Sequence, residues 1–215
     1  MPVHSLWSDE YWLLLMQIYL RKPVGIKPLY SKAMVGLSLE LHIPPTVLYE
    51  QMFKLRQQQQ PSIVRLWEKY GNSTAKLARD AKRLRRMAGF NNAEAFYDNV
   101  DTNESFEKDF RPINNIPDLM PAMLIMILDL YFRLTPATMV EGTPEITELA
   151  RTMKIKPGRV VEVMEVFRIC DPYLSKGEFM VTPLLVPCRQ VWNRLGNGDP
   201  ARLAALAAQL KDFFV

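Results

Sequence analysis

Pro144-Glu145-Ile146-Thr147-Glu148-Leu149-Ala150-Arg151-Thr152-Met153-Lys154-Ile155 runs without interruption into Lys156-Pro157-Gly158-Arg159-Val160-Val161-Glu162-Val163-Met164. The spacing of apolar positions predicts two helices joined by a short turn. Ala150 is small enough to let the helices cross closely, Ile155 anchors the turn, and Val160 and Val163 lock the second helix in place. Lys154 stands in the turn where glycine is usual. Such a position commonly needs a positive φ, which strains any residue that carries a Cβ.

The same arrangement occurs earlier in the chain. Shifting the sequence by 112 positions aligns residues 10–56 with 122–168 without a gap, and eight pairs are identical: Tyr19/Tyr131, Arg21/Arg133, Leu37/Leu149, Ile43/Ile155, Pro45/Pro157, Glu50/Glu162, Met52/Met164 and Arg56/Arg168. Composition alone would give about three. Further on, Trp67, Gly71 and Asn72 match Trp192, Gly196 and Asn197, and one residue later Ala75, Leu77, Ala78, Ala81 and Leu84 match Ala201, Leu203, Ala204, Ala207 and Leu210. Both halves therefore read Trp, then Gly-Asn, then an Ala/Leu helix with Ser73 or Asp199 at its N-cap and, in the second, Pro200 at its first position. An internal duplication is the expectation, giving two similar lobes related by an approximate two-fold axis. In the first copy Ser38, Ile43, Leu48 and Gln51 occupy the turn-forming positions, Met52 offers the next apolar contact, and His42 replaces the glycine.

At superfamily level these segments, 37–52 and 146–182, resemble helix-turn-helix and winged-helix modules. In the second copy Pro172-Tyr173-Leu174, Ser175-Lys176-Gly177 and Glu178-Phe179-Met180-Val181-Thr182 read as two short β-prone runs around a turn. That hairpin, near 172–182, would be the wing. The first copy has only the polar stretch Gln57 to Gln60 there, a frayed helix end or loop. The resemblance implies an all-α fold of two tandem helix-turn-helix-containing lobes with one small β-hairpin. It also implies nucleic acid as a partner class, although the same geometry serves elsewhere purely as a packing unit.

The opening element of each copy is apolar nearly all round, at 11–20 and 123–132, which marks a buried helix, either packed on its twin or within its own lobe, with a homodimer seam as the alternative. Acidic Asp9 and Glu10 precede the first run and basic Arg21 and Lys22 follow it, the reverse of a secretory signal. Ser8 would serve as its N-cap, and the charge order suits the helix dipole. Ten residues do not span a bilayer. The expectation is a cytoplasmic protein without membrane association. Residues 1–87 and 122–215 form the two repeats. Between them, 88–121 is acidic and rich in aromatics. There, 91–99 would form a short helix and Arg111-Pro112 and Pro117 an extended crossing, packed on the lobes through Phe90, Phe96, Tyr97, Phe106 and Phe110.

With 48% hydrophobic and 23% charged residues, the chain is neither disordered nor collagen-like. Two cysteines and two histidines leave no all-cysteine or multi-histidine metal cage, so no metal is expected. There is no glycine-rich phosphate loop, no Gly-x-Ser-x-Gly, no His-Glu-x-x-His and no Cys-x-x-Cys. His42 reads as a turn residue and Cys170 as a buried small hydrophobe. No enzyme, cofactor or small-molecule ligand is called for.

Charge is concentrated in one place. Lys76, Arg79, Lys82, Arg83, Arg85 and Arg86 stand against Asp80 alone, a net +5 in a chain of net charge +4. Arg79, Arg83 and Arg86 follow one helical face, while Leu77, Ala81 and Leu84 form the apolar stripe. The matching helix of the second copy has only Arg202 and Lys211. This face is the candidate polyanion site, with Lys154, Lys156 and Arg159 as supplements. Two other readings stand beside it. One is simple solvation, and the other is neutralisation by residues 94–110, which carry a net charge of −5. The outward positions of the second helix of each pair, Thr46, Tyr49, Glu50 and Lys54, then Arg159, Glu162 and Glu165, offer few of the bidentate readers that major-groove recognition uses. The leading expectation is a non-enzymatic binding module associated with nucleic acid; the rival is a protein-interaction or scaffold role.

Overall fold

In a computed structural model the described residues, 5–90, 105–174 and 180–215, form eleven α-helices that divide into two units, 1–104 and 105–215. Among the described residues there is no strand, only an isolated bridge between Ile113 and Ile116. The all-α expectation therefore holds.

In the first unit α1 (Tyr11–Tyr19) is covered by α2 (Lys32–Leu41), α3 (Pro45–Gln57) and α5 (Thr74–Leu84), and α4 (Pro61–Tyr70) packs on α5. Leu14, Leu15 and Met16 have no exposed surface and meet Met34, Leu48, Met52 and Ala81 in one core. Burial of each such Leu or Met side chain stabilises the fold by about 1.5–3 kcal/mol. Residue Ser8 is not the N-cap expected from sequence. Its carbonyl accepts the Tyr11 N–H at 3.0 Å in a preceding turn, and Glu10 occupies the cap without a side-chain bond.

The second unit begins with α6 (Ser105–Asp109) and centres on α7 (Pro121–Arg133). Pro121 at the first position suits a helix start, since its missing N–H would have no partner there. Every residue from Ala122 to Tyr131 is buried, so α7 has no polar face, as its sequence predicts. Asp129 lies in this run with its carboxylate 2.8 Å from Arg133. The chain leaves the helix at Leu134, extended at φ −99° and ψ 154°, and Thr135, at φ −88° and ψ 155°, has the extended conformation that a following proline favours. α8 (Pro144–Met153), α9 (Pro157–Cys170), α10 (Leu185–Val191) and α11 (Pro200–Leu210) pack around α7, and a π-helical turn, Trp192–Gly196, follows α10.

The helix bounds follow the sequence offsets. α8 is α2 moved by 112 positions at both ends, and α11 is α5 moved by 126. His42 and Lys154, the non-glycine turn residues, both adopt the left-handed conformation, with φ of 54° and 61°. In each turn the next N–H reaches back five residues, Ile43 to Ser38 O at 3.2 Å and Ile155 to Ala150 O at 3.0 Å. The Ser38 hydroxyl adds a bond to the Ile43 carbonyl, closing the first turn. Trp67 and Trp192 each lie against a tyrosine of their own unit, but Trp192 is buried and also meets Phe132 and Phe167, while Trp67 is half-buried and donates its indole N–H to Leu55 O at 2.9 Å. Tyr19 meets Trp67 edge-on at 5.6 Å, and Tyr131 meets Trp192 at 6.1 Å. Four residues after each Trp, a glycine lies against the ring.

A further expectation differs from the structure. Residues 111–119 do not cross in extended form. They fold into a tight turn in which Ile113 N–H reaches Leu119 O at 2.9 Å and Asn115 takes a φ of 65°. Two prolines restrict φ without forbidding a turn. The proposed wing falls mainly on residues 175–179, outside the described residues. Its flanks at 172–174 and 180–182 are turn and irregular backbone, not strand. The helix expected at 91–99 also lies outside the described residues. Phe110 is buried and meets Phe213 at 5.2 Å, so this aromatic does anchor its segment within the second unit.

Replacing Lys154 by Gly should raise the urea midpoint, a gain of about 1 kcal/mol from relief of left-handed strain, and Val at that position should lower it. A Cβ at Gly196 would lie 2.7 Å from the Trp192 ring, and one at Gly71 3.2 Å from the Trp67 ring and 2.6 Å from its carbonyl oxygen. Gly71→Ala and Gly196→Ala should each cost about 1–3 kcal/mol in the same measurement, with a shift in tryptophan fluorescence.

Candidate functional site

The nine basic residues singled out from sequence have different fates. α5 ends at Leu84, so Arg85 and Arg86 lie past the helix in a turn tightened by Arg86 N–H to Arg83 O at 3.0 Å and Met87 N–H to Leu84 O at 3.1 Å. Arg85 is committed inside the first unit. It pairs with Glu40, one contact being Nη2 to Oε2 at 2.9 Å, and Nη1 reaches Gln17 at 3.3 Å. Lys76 is half-buried, its ammonium 5.7 Å from the Tyr70 ring centre. Arg79 lies 3.5 Å from Asp80 yet keeps most of its side chain in solvent. Lys82, Arg83 and Arg86 are exposed and have no ion pair among the described residues.

In the second unit Arg159 is spent on structure. Its guanidinium grips Asp118 at 3.0 and 3.2 Å and Glu162 at 2.6 Å. Lys154 and Lys156 are exposed at the α8–α9 turn. Of the nine, Arg85 and Arg159 are thus paired with carboxylates of their own units. Arg79, Lys82, Arg83 and Arg86 remain as an outward cationic group on the first unit. Of the acidic residues between 94 and 110, those at 94–104 lie outside the described residues. Glu107 pairs with Arg111 at 2.8 Å and Asp109 with Arg194 at 2.9 Å. Burial pushes the Asp109 carboxyl up, against the pull of Arg194.

Two features escaped the sequence reading. On α3, Tyr49 and Phe53 form an edge-to-face pair at 5.1 Å, and Phe53 is exposed. The two residues are four apart on α3, one helical turn. The second feature is a cleft of about 540 Å³ in the first unit, walled by α4, α5 and the start of α1. Leu13, Leu66, Leu84 and Met87 line its floor, and Arg65, Lys69, Arg83, Asp9, Glu10 and Asp80 surround it. Tyr70 donates to Asp80 at 3.0 Å, tying α4 to α5 and, with Arg79 adding to the effect, holding the Asp80 carboxyl below its ordinary range. Arg65 and Lys69 lie one helical turn apart with Leu66 between them, a signal the sequence did carry.

Cys170 is half-buried and Cys188 buried; desolvation pushes both thiols up, away from the reactive thiolate. Tyr131 donates to buried Asp171 at 3.1 Å, and its own hydroxyl is pushed up chiefly by burial and also by that carboxylate. Among the described residues no three His, Cys, Asp or Glu side chains group as a metal site, and no helix is long and apolar enough to cross a membrane.

Because its charge is absorbed internally, Arg159→Ala should lower stability by about 1 kcal/mol in urea unfolding and leave any polyanion affinity unchanged. Loss of such binding would show instead that Arg159 faces a ligand. In comparisons with family models, curated proteins and solved structures, the chain has no significant match.

Proposed function

We propose that the chain is a non-enzymatic, cytoplasmic binding module, built from two helix-turn-helix repeats that arose by internal duplication, and that its first repeat holds nucleic acid by the phosphate backbone. The coincident bounds of α2 with α8 and of α5 with α11, the paired left-handed turns and the matching Tyr–Trp contacts support the duplication. One observation carries the binding reading. Lys82, Arg83 and Arg86 are exposed without ion pairs among the described residues, whereas Arg85 and Arg159 are consumed by carboxylates of their own units. Core packing of α5 uses Leu77, Ala81 and Leu84 and needs none of these cations.

Contact is with phosphates rather than base edges. On α9 the arginine that could read a base is held by two acids, and α3 offers an aromatic pair and Glu50 outward. Binding through about three or four cations to duplex DNA gives a log–log salt slope near −3, with little sequence preference. A second reading, docking of a protein partner on α3, is favoured by the exposed Tyr49–Phe53 pair.

Fluorescence anisotropy with labelled duplex and single-stranded oligonucleotides should show binding that weakens steeply as salt rises. The triple variant Arg79→Glu, Arg83→Glu, Arg86→Glu should bind at least about tenfold more weakly. Salt-insensitive binding, or none at low salt, would remove the nucleic-acid reading. Native pull-down with and without nuclease separates the two readings: partners retained after nuclease treatment and lost in Phe53→Asp favour the protein surface.

A further inference from the structure

The second unit has a groove of its own. One wall is α6 with the turn at 111–119 and Pro121, and the other is α10 with Pro183 before it. Its volume of about 490 Å³ lies in the range of small-molecule sites. Pro112, Pro121, Pro183 and Pro187, with Ile113 and Val186, make most of the lining apolar. Proline rings fix their own φ and carry no N–H, so these walls are stiff and donate no main-chain hydrogen bond at four positions. Val186 keeps 65% of its surface exposed, apolar area that a ligand would cover. The polar lining is Lys108, Arg111, Asn114 and Gln190, and among the described residues no Asp or Glu lines the groove. Glu107, buried and not part of the lining, accepts a bond of 2.8 Å from Arg111 Nη2. A guanidinium has five N–H donors, so this contact holds Arg111 in place and leaves donors for a ligand. The Arg111 side chain remains 61% exposed. Residues 108–121 lie outside the aligned repeats, so the packing that both units share does not account for this wall.

We propose that this groove binds a small carboxylate with an apolar body, the carboxylate on Arg111 and Lys108 and the body against Val186 and the prolines. Each feature of the lining selects one part of that ligand. A planar guanidinium matches a carboxylate, to which it can give two parallel bonds. The apolar walls match a hydrocarbon body, and the amides of Asn114 and Gln190 add neutral donors. Other occupants match less of the lining. An organic cation or a metal ion meets two cations and no lining carboxylate among the described residues. A nucleic acid strand meets only two cations and no aromatic ring among those residues on which a base could stack. A neutral apolar molecule would desolvate two charged groups without compensating them. A free organic acid and the C-terminus of a peptide share the required chemistry, an apolar group beside a carboxylate. No sequence motif marks the groove, because its walls come from 108–121 and 183–190 and meet only in the fold.

Titration of the ¹⁵N-labelled full chain with decanoate, decylamine and decanol, followed by amide chemical shifts, tests this. Decanoate should bind with a Kd of about 1 mM or below and move the signals of Arg111, Asn114, Val186 and Gln190. Decylamine and decanol should bind at least about fivefold more weakly. N-acetyl-Leu-Val acid, set against its C-terminal amide, distinguishes the two sources. Binding of that acid in preference to the amide supports a peptide terminus, and binding of decanoate with neither peptide supports a free organic acid. Gln190 and Val186 are exposed, so thermal melts of their variants should match the parent. Gln190→Glu should weaken decanoate at least about fivefold and Gln190→Lys should tighten it, while Val186→Asp should weaken it about tenfold. Arg111→Gln keeps a donor for Glu107 and should also weaken decanoate about tenfold. No binding up to about 10 mM, equal binding of decylamine or decanol, equal binding of the peptide acid and amide, indifference to Gln190→Glu, or shifts confined to the first unit would each overturn the proposal. The Lys82→Glu, Arg86→Glu chain should bind decanoate as the parent does, so failure of this groove is read separately from failure of the phosphate-binding face.

Discussion

A helix with no polar face can exist in water only if other elements cover it on every side. That requirement organises both units. From Ala122 to Tyr131 every side chain of α7 is buried, and only helices with one apolar stripe each can enclose it while still facing solvent. α8, α9, α10 and α11 do so, and α2, α3 and α5 do the same around α1. The close approach this demands explains the small residues at the contacts. Ser38 and Ala150 lie buried where the paired helices meet, and Gly71 and Gly196 lie against the tryptophan rings. It also explains why strain is tolerated at His42 and Lys154. A left-handed residue costs about 1–2 kcal/mol, less than the burial gained when the second helix of each pair turns back onto the centre.

Once the covering helices are placed, their outward faces carry the remaining charge, and neighbouring acids determine which cations are available. Arg85 and Arg159 look as basic in sequence as Arg83 or Lys156, yet each is held by carboxylates brought close by folding, Glu40 for one and Asp118 with Glu162 for the other. Such exposed pairs add little stability, about 0–1 kcal/mol each. Their consequence is that two arginines have carboxylate partners within their own units. The exposed cations left on α5 and the neighbouring cleft with Leu66 and Met87 all lie on the first unit.

The helices themselves were largely legible beforehand. Period and offset located the paired helices 32–41 and 144–153 and their left-handed turns, and the Ala/Leu pattern placed α5 and α11, because core-facing positions must repeat at the pitch of a helix. Composition likewise marked α7 as buried, and α1 is so at Trp12, Leu14, Leu15, Met16 and Ile18. Less legible were termini and irregular backbone, where one hydrogen bond decides. Ser8 does not cap α1, α5 stops before Arg85, and residues 111–119 turn back on themselves.

The amino-acid order alone thus determined the helix periodicity, the all-round apolar character of the central helices and the concentration of positive charge at 76–86, since each is a property of residues near one another in the chain. Only the tertiary structure decided which arginines are paired with carboxylates and that Leu13, Leu66 and Met87 share one cleft. Those outcomes depend on distances between residues far apart in sequence, Gln17 and Glu40 from Arg85, Asp118 from Arg159, Asp9 from Met87, and the local pattern of a helix carries no information about such distances until the core has closed.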